Sequence, residues 1–282
     1  ICYLTEQHRQ DDGKLLNVLT DIRDGAVDDA DRDILLTRLG TMPGPGQQAV
    51  NLFPVNRQAD ALNDLRLFEI NEEPHEYLAE SSGAAAMVER MKRNMLAPER
   101  LLLKMGAAVM AVRNDPDRQF VNGSLGTVRG FADQSKGGWP IVEFENGNIV
   151  TMKPASWEMQ DGDTVLATVK QVPLRCAWAI TIHKSQGMTL DRAVMDLRRT
   201  FAPGMGYVAL SRVESLDGLY LQGVNERMFL VSPDAVRLDG QLRSESALAA
   251  GILAREGVSA FRDRMPRPAD GDDDGFTQDA LF

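Results

Sequence analysis

Apolar residues in the first part of the chain recur at helical spacing. Leu15, Leu16, Val18, Leu19 and Ile22 share one face, and Gly25 closes the run as a helix end. A second helix is predicted over residues 31–39, closed by Gly40. The run 49–53 is short, apolar and ended by Pro54, which suits a buried strand. Asn56 is placed to cap a helix running from Arg57 to Leu67, and a further helix is predicted over 84–96. Strand followed at once by helix predicts a layered α/β domain.

The period changes between residues 101 and 167. Short strand-like runs at 101–103, 108–112, 126–131, 141–144 and 149–152 are separated by turn formers: Asn114-Asp115-Pro116, Asn122-Gly123, Gly137-Gly138 and the stretch 145–148. That alternation predicts a small, mostly antiparallel barrel. The α/β pattern returns with strand-like runs at 178–182 and 194–197. Near the end, 247–254 is predicted helical, and 264–274, rich in Pro, Asp and Gly, is predicted to be a disordered linker.

Composition narrows the class. With 282 residues, 43% hydrophobic and 26% charged, the chain reads as soluble and globular, large enough for an α/β domain with an insert. No apolar run approaches the roughly 20 residues that span a bilayer, so no membrane partner is expected. Two cysteines, Cys2 and Cys176, and three histidines show no ligand spacing, so no metal site is expected among these residues. The net charge of -10 argues against a surface that binds phosphate throughout. The acidic residues crowd the two ends, however, while Lys92, Arg93, Arg113, Arg129, Lys170, Arg175 and Lys184 lie in the middle. A basic groove on an acidic body fits that distribution. The opening residues, Ile1 to Glu6, do not form a signal peptide and read as a cut through a longer protein.

Two segments carry candidate chemistry. His183-Lys184-Ser185-Gln186-Gly187 follows an apolar strand and is expected to precede a short helical stretch. It offers several donors within one turn and a glycine that lets backbone approach a ligand, as a phosphate or nucleic-acid contact requires; a polar loop after a buried strand is the plainer alternative. Arg212 ends the apolar run Ala209-Leu210-Ser211. It is a surface arginine, or one paired to a carboxylate such as Glu214, or an arginine finger that offsets charge on a transferring phosphoryl group.

Residues 177–191 resemble motif V of superfamily 1B helicases, and residues 206–213, Gly-Tyr-Val-Ala-Leu-Ser-Arg-Val, resemble their motif VI. Glu6-Gln7-His8-Arg9-Gln10 is similar to motif IV, and the stretches 103–110, 114–115 and 121–126 are similar to the Pif-type, RecD-like branch. The resemblance covers residues 1–230, with the motifs in the family's order. It implies an α/β fold: a RecA-like second motor domain with a parallel sheet (1–122 and 171–240), interrupted by an SH3-like β-barrel at 123–170 and followed by a C-terminal helix and acidic tail at 241–282. It implies that Arg9 and Arg212 act on the γ-phosphate of ATP, that Gln10, Gln186 and Gly187 lie at the nucleotide edge, and that Thr181, His183, Lys184 and Ser185 face single-stranded DNA or buttress the loop that does.

The chain has no Gly-x-x-x-x-Gly-Lys-Ser/Thr loop, the element that cradles phosphates in such motors. The resemblance therefore implies the C-terminal half of an ATP-dependent, 5′-to-3′ DNA helicase of repair, recombination or replication, with ATP and Mg2+ held mainly by an N-terminal RecA-like domain of the same protein. On its own this half is expected to be inactive as an ATPase. Two other readings stay open: a non-catalytic DNA-binding adaptor, and the helicase part of a RecD-like nuclease or relaxase. Gln278, Leu281 and Phe282 resemble a short peptide that docks on bacterial sliding clamps; a bacterial source would make the protein cytoplasmic and nucleoid-associated.

Overall fold

The computed structural model describes Tyr3, residues 12–162 and residues 164–264. Helix α1 (Gly13–Asp24) buries Leu15, Val18, Leu19 and Ile22, the face its spacing predicts. The Asp12 carboxylate accepts from the Lys14 and Leu15 amides at its start, and Gly25, at φ 70°, closes it. Helix α2 (Asp29–Leu36) opens on a capping box between Asp28 and Asp31. It stops short of the expected Leu39 because the next residues are claimed by a strand: Gly40 N donates to Leu221 O at 2.7 Å and Leu221 N donates to Arg38 O at 3.1 Å. Strand β1 (Val50–Phe53) leads into α3 (Asn56–Glu69). Asn56 is the first residue of that helix rather than its cap; Val55 holds the cap position, with no side-chain hydrogen bond.

The chain then makes β2 (His75–Leu78), β3 (Glu80–Gly83), α4 (Ala85–Asn94), β4 (Arg100–Leu103), β5 (Ala108–Ala111), β6 (Leu125–Phe131), β7 (Pro140–Phe144), β8 (Ile149–Thr151), β9 (Ala155–Asp161), β10 (Thr164–Gln171) and β11 (Leu174–Cys176). It continues through β12 (Ala179–Thr181), β13 (Ala193–Asp196), α5 (Met205–Leu210), β14 (Leu219–Gly223) and α6 (Pro233–Arg264), whose backbone leaves helical geometry at Gly257. The stretch predicted helical at 247–254 is one part of α6. Apart from Arg264, the predicted linker lies outside the described residues.

Four strands pair in parallel in the order β12-β1-β13-β14. This is the RecA-like sheet, packed on α1 and α2 through Leu15, Ile22, Leu35, Leu52, Ile180 and Met195. Everything from β2 to β11 is inserted between α3 and β12. Its main sheet, β11-β5-β6-β7-β8, is antiparallel and encloses a second core around Leu103, Val109, Val128, Val142 and Phe144. This is the SH3-like insertion. The pairing carries it further back than residue 123: β5 is bonded to β6 and β11, and β4 pairs with β2. Strand β5 is buried along its whole length, so its uniform apolarity resembles that of a parallel-sheet strand.

One buried amide ties α3 to the parallel sheet. Asn63 Nδ2 donates to Ala179 O at 2.8 Å and Asn63 Oδ1 accepts from Ala179 N at 2.9 Å. This pins the start of β12, the strand that enters the candidate site. Asn63→Ala leaves a buried amide and a buried carbonyl unpaired, at a cost of about 2–4 kcal/mol. Urea denaturation of the purified chain should show that loss. A change below about 0.5 kcal/mol, typical of an exposed substitution, would contradict the clamp.

Candidate nucleic-acid interface

Strand β12 ends at Thr181, on the carboxyl edge of the parallel sheet, where open α/β sheets bind ligands. Ile182 N still donates to Phe53 O at 2.9 Å. The chain then turns tightly: Ser185 N donates to Thr181 O, Gln186 N to His183 O and Met188 N to Ser185 O, at 3.0–3.1 Å. No helix follows, in contrast to the expectation from sequence. Gly187 takes φ 83°, and Leu190 N is held by Arg212 O at 2.8 Å, so the chain leaves the turn extended.

The turn divides its polar residues into two groups. Thr181 and Ser185 point inward and are buried. Thr181 Oγ1 accepts from Lys184 N at 3.3 Å, and Ser185 Oγ donates to Ile182 O at 2.8 Å. These two side chains buttress the loop. His183, Gln186 and Gly187 are exposed, and Lys184 is half-buried. Burial, then the charge of Arg175, pushes the Lys184 ammonium below its ordinary pKa, and Asp60 on α3 opposes that shift.

Arg212 is no surface arginine; it is 5% exposed. Its Nε donates to Val208 O at 2.8 Å and its Nη2 to Ser211 Oγ at 2.7 Å. Its Nη1 donates to Ser185 O and Met188 O, each at 3.3 Å. Arg212, two residues past the end of α5, therefore holds the turn after β12 from behind. Arg9 and Gln10, like Gln278, Leu281 and Phe282 in the tail, lie outside the described residues.

The basic residues of the middle do not form one groove. Lys92 pairs with Glu99, Arg100 with Glu76, Arg129 with Glu143 and Lys170 with Glu80. Arg113 donates to Ser156 O and lies over the Trp157 ring. Arg175 and Lys184 remain beside the turn. One contributor, Asn63, was missed in the sequence, and a second, Arg175, was counted only among the basic residues of the middle. Asn63 shares the buried face of α3 with Ala59 and Leu67 at four-residue spacing, a signal visible in the sequence. Arg175 sits between Leu174 and Cys176 on β11 and gives no local sign of its neighbours. Among the described residues, no cluster of three His, Cys, Asp or Glu could hold a metal ion.

A sequence profile described as "DNA helicase Pif1, 2B domain" matches residues 87–131. An ATP-dependent DNA helicase Pif1 of Bdellovibrio bacteriovorus is 39% identical over 236 residues, covering 82% of this chain and 52% of that protein. The chain belongs to the Pif1 helicase family. The Xenopus laevis ATP-dependent DNA helicase PIF1 is 34% identical over 87% of the chain and 39% of its own length. Among solved structures, Bacteroides Pif1 in complex with ADP-AlF4 superposes with a TM-score of 0.73 at 26% identity, over 86% of this chain and 56% of that one. Bacteroides Pif1 bound to single-stranded DNA superposes at 0.58 with 26% identity, again over 86% and 56%. The chain thus spans about half the length of the Pif1 proteins it matches. The matched 2B residues run from α4 to β6, inside the insertion seen in the strand pairing.

The division of the turn is testable. Ser185→Ala should cost about 1 kcal/mol of stability through the lost bond to Ile182 O, whereas His183→Ala should stay within about 0.5 kcal/mol of the parent. Denaturant melts of both variants would decide it; equal losses would contradict the inward and outward assignment.

Proposed function

We propose that this chain supplies the second motor domain of an ATP-dependent DNA helicase that moves 5′-to-3′ along single-stranded DNA. The supporting observation is the turn after β12, which leaves His183 exposed and Lys184 half-buried while Thr181, Ser185 and Arg212 hold it from within. The relatives named Pif1 are ATP-dependent DNA helicases, and one of the Bacteroides structures contains single-stranded DNA. In this reading, His183 and Lys184 contact the backbone of a single strand. Contact through phosphates is sequence-tolerant and salt-sensitive. Gln186 and Gly187 lie on the outer rim of the same turn, toward the nucleotide. ATP and Mg2+ are taken up between this domain and an N-terminal RecA-like partner domain.

Arg212 has two tasks in this reading. It holds the turn through the carbonyls of Ser185 and Met188, and on closure over ATP it exchanges carbonyl contacts for the γ-phosphate, together with Arg9. A guanidinium suits both, since its five donors sit in a fixed fork. In the intact protein, Arg212→Ala should lower DNA-stimulated ATP hydrolysis by on the order of 10³-fold. Because the turn loses its staple, single-strand affinity should fall too. Steady-state ATPase assays with and without oligo-dT would test this; hydrolysis near the parent level would remove Arg212 from the phosphate.

A further inference from the structure

Arg175 is left over by everything above. It is 8% exposed, lies on β11, and its Nη1 reaches only Leu96 O, at 3.5 Å. Its Nε is buried without a hydrogen-bond partner. A buried guanidinium this poorly satisfied is costly to keep. Its Nη2 makes no hydrogen bond either, yet is not among the buried unpartnered atoms, so it is the part of the group that reaches solvent. The neighbouring Lys184 ammonium likewise has no hydrogen bond or ion pair, although the Lys184 side chain is half-buried.

The Arg175 charge acts on Lys184, and the Asp60 carboxylate acts on both. Asp60 forms no ion pair with either, and it is exposed at the edge of α3. The cluster is anchored on both sides. Asn63, three residues along α3, clamps β12, and β11 is bonded to β5 with Arg175 opposite Met110. Two half-buried or buried cations therefore converge beside the turn with one carboxylate that neutralises neither fully. An anion bound here would satisfy donors that the protein itself leaves unpaired.

We propose that Arg175 and Lys184 together seat one backbone phosphate of single-stranded DNA, and that Asp60 acts as the weak counter-ion the phosphate displaces. This rests on the reading of the turn as the DNA-facing loop. It adds a residue from the insertion to the grip, because Arg175 lies on its last strand. A phosphate is favoured over a carboxylate ligand because two cations from different elements can engage separate oxygens of it.

The test uses the full-length protein and fluorescence anisotropy with labelled oligo-dT, over a salt series from about 50 to 200 mM. Arg175→Gln should weaken binding by about tenfold at low salt and reduce the steepness of log affinity against log salt by up to about 0.7. Arg175→Lys should keep most of the slope. Asp60→Asn should move the other way, tightening binding by about two- to fivefold. A purely structural Arg175 would lower thermal stability and leave the salt slope at its parent value, and that result would overturn the proposal. If Arg175→Gln does not fold, Asp60→Asn decides alone: binding no tighter than the parent overturns it. Lys184→Ala separates the two levels. If it weakens binding while Arg175→Gln leaves the slope unchanged, the DNA reading of the turn stands and the phosphate seat fails. If Lys184→Ala has no effect, the DNA reading of the turn fails as well.

Discussion

The site depends on one buried guanidinium. Placing Arg212 inside the protein costs several kcal/mol in lost hydration unless its donors are met. They are met by the carbonyls of Val208, Ser185 and Met188 and by the Ser211 hydroxyl. Val208 lies in the last turn of α5, whose carbonyl end carries partial negative charge that suits a cation. The backbone adds a second tie, Leu190 N to Arg212 O, beside the bridge between Leu190 and Val213. Two segments more than twenty residues apart are thereby made one rigid piece. In the proposed function, this one piece carries both the residues assigned to DNA and the arginine assigned to the nucleotide.

The insertion is joined to this piece more closely than a flexible appendage would be. Only Ala177 and Trp178 separate β11 from β12. Both are held: Ala177 N donates to Ala108 O in the insertion, and Trp178 O accepts from the amide and the side chain of Asn51 in the parallel sheet. Arg192 pairs with Glu145, and Gln48 donates to the Thr127 hydroxyl. At Gly123 the packing is closer still. A Cβ there would lie 2.9 Å from Thr189 O, on the exit of the site turn, and the residue sits at φ 98°. Only glycine meets both conditions without moving the backbone. The turn after β12 is thus bounded by α5 on one side and by the insertion on another.

What the sequence revealed depended on how local each cause is. Helix α1 was legible because its apolar face and its Gly25 stop both lie within the segment. Strands β1, β12 and β13 were legible as short apolar runs. The end of α2 was not, because Leu221, far along the chain, takes up the residues that follow it. The period change at residue 101 grouped β4 and β5 with the antiparallel runs, whereas the bound at 123 implied by the resemblance left them out. At the site, the motif residues were identified by resemblance, yet their division into buttress and contact needed the fold: serine and lysine side by side give no hint of which turns inward. Arg212 in an apolar segment was open to two readings, and a third contact set, the carbonyls of the turn, lies 24 and 27 residues away.

The acidic body is a constraint on any grip this domain exerts. With a net charge of -10, long-range attraction to a polyanion is unfavourable, and binding must come from cations not already engaged within the protein. Four middle basic residues, Lys92, Arg100, Arg129 and Lys170, are neutralised by Glu99, Glu76, Glu143 and Glu80. The remaining unpaired charge beside the turn is small and concentrated where β11, β12 and α3 meet. A strand held there by few phosphates has an affinity with a shallow salt dependence, since each neutralised phosphate contributes about 0.7 to the slope. For the proposed motor, which would release and regrip at every step, that is the favourable regime. A continuous basic groove would bind more tightly at each position and make every release slower, because affinity differences appear chiefly in dissociation.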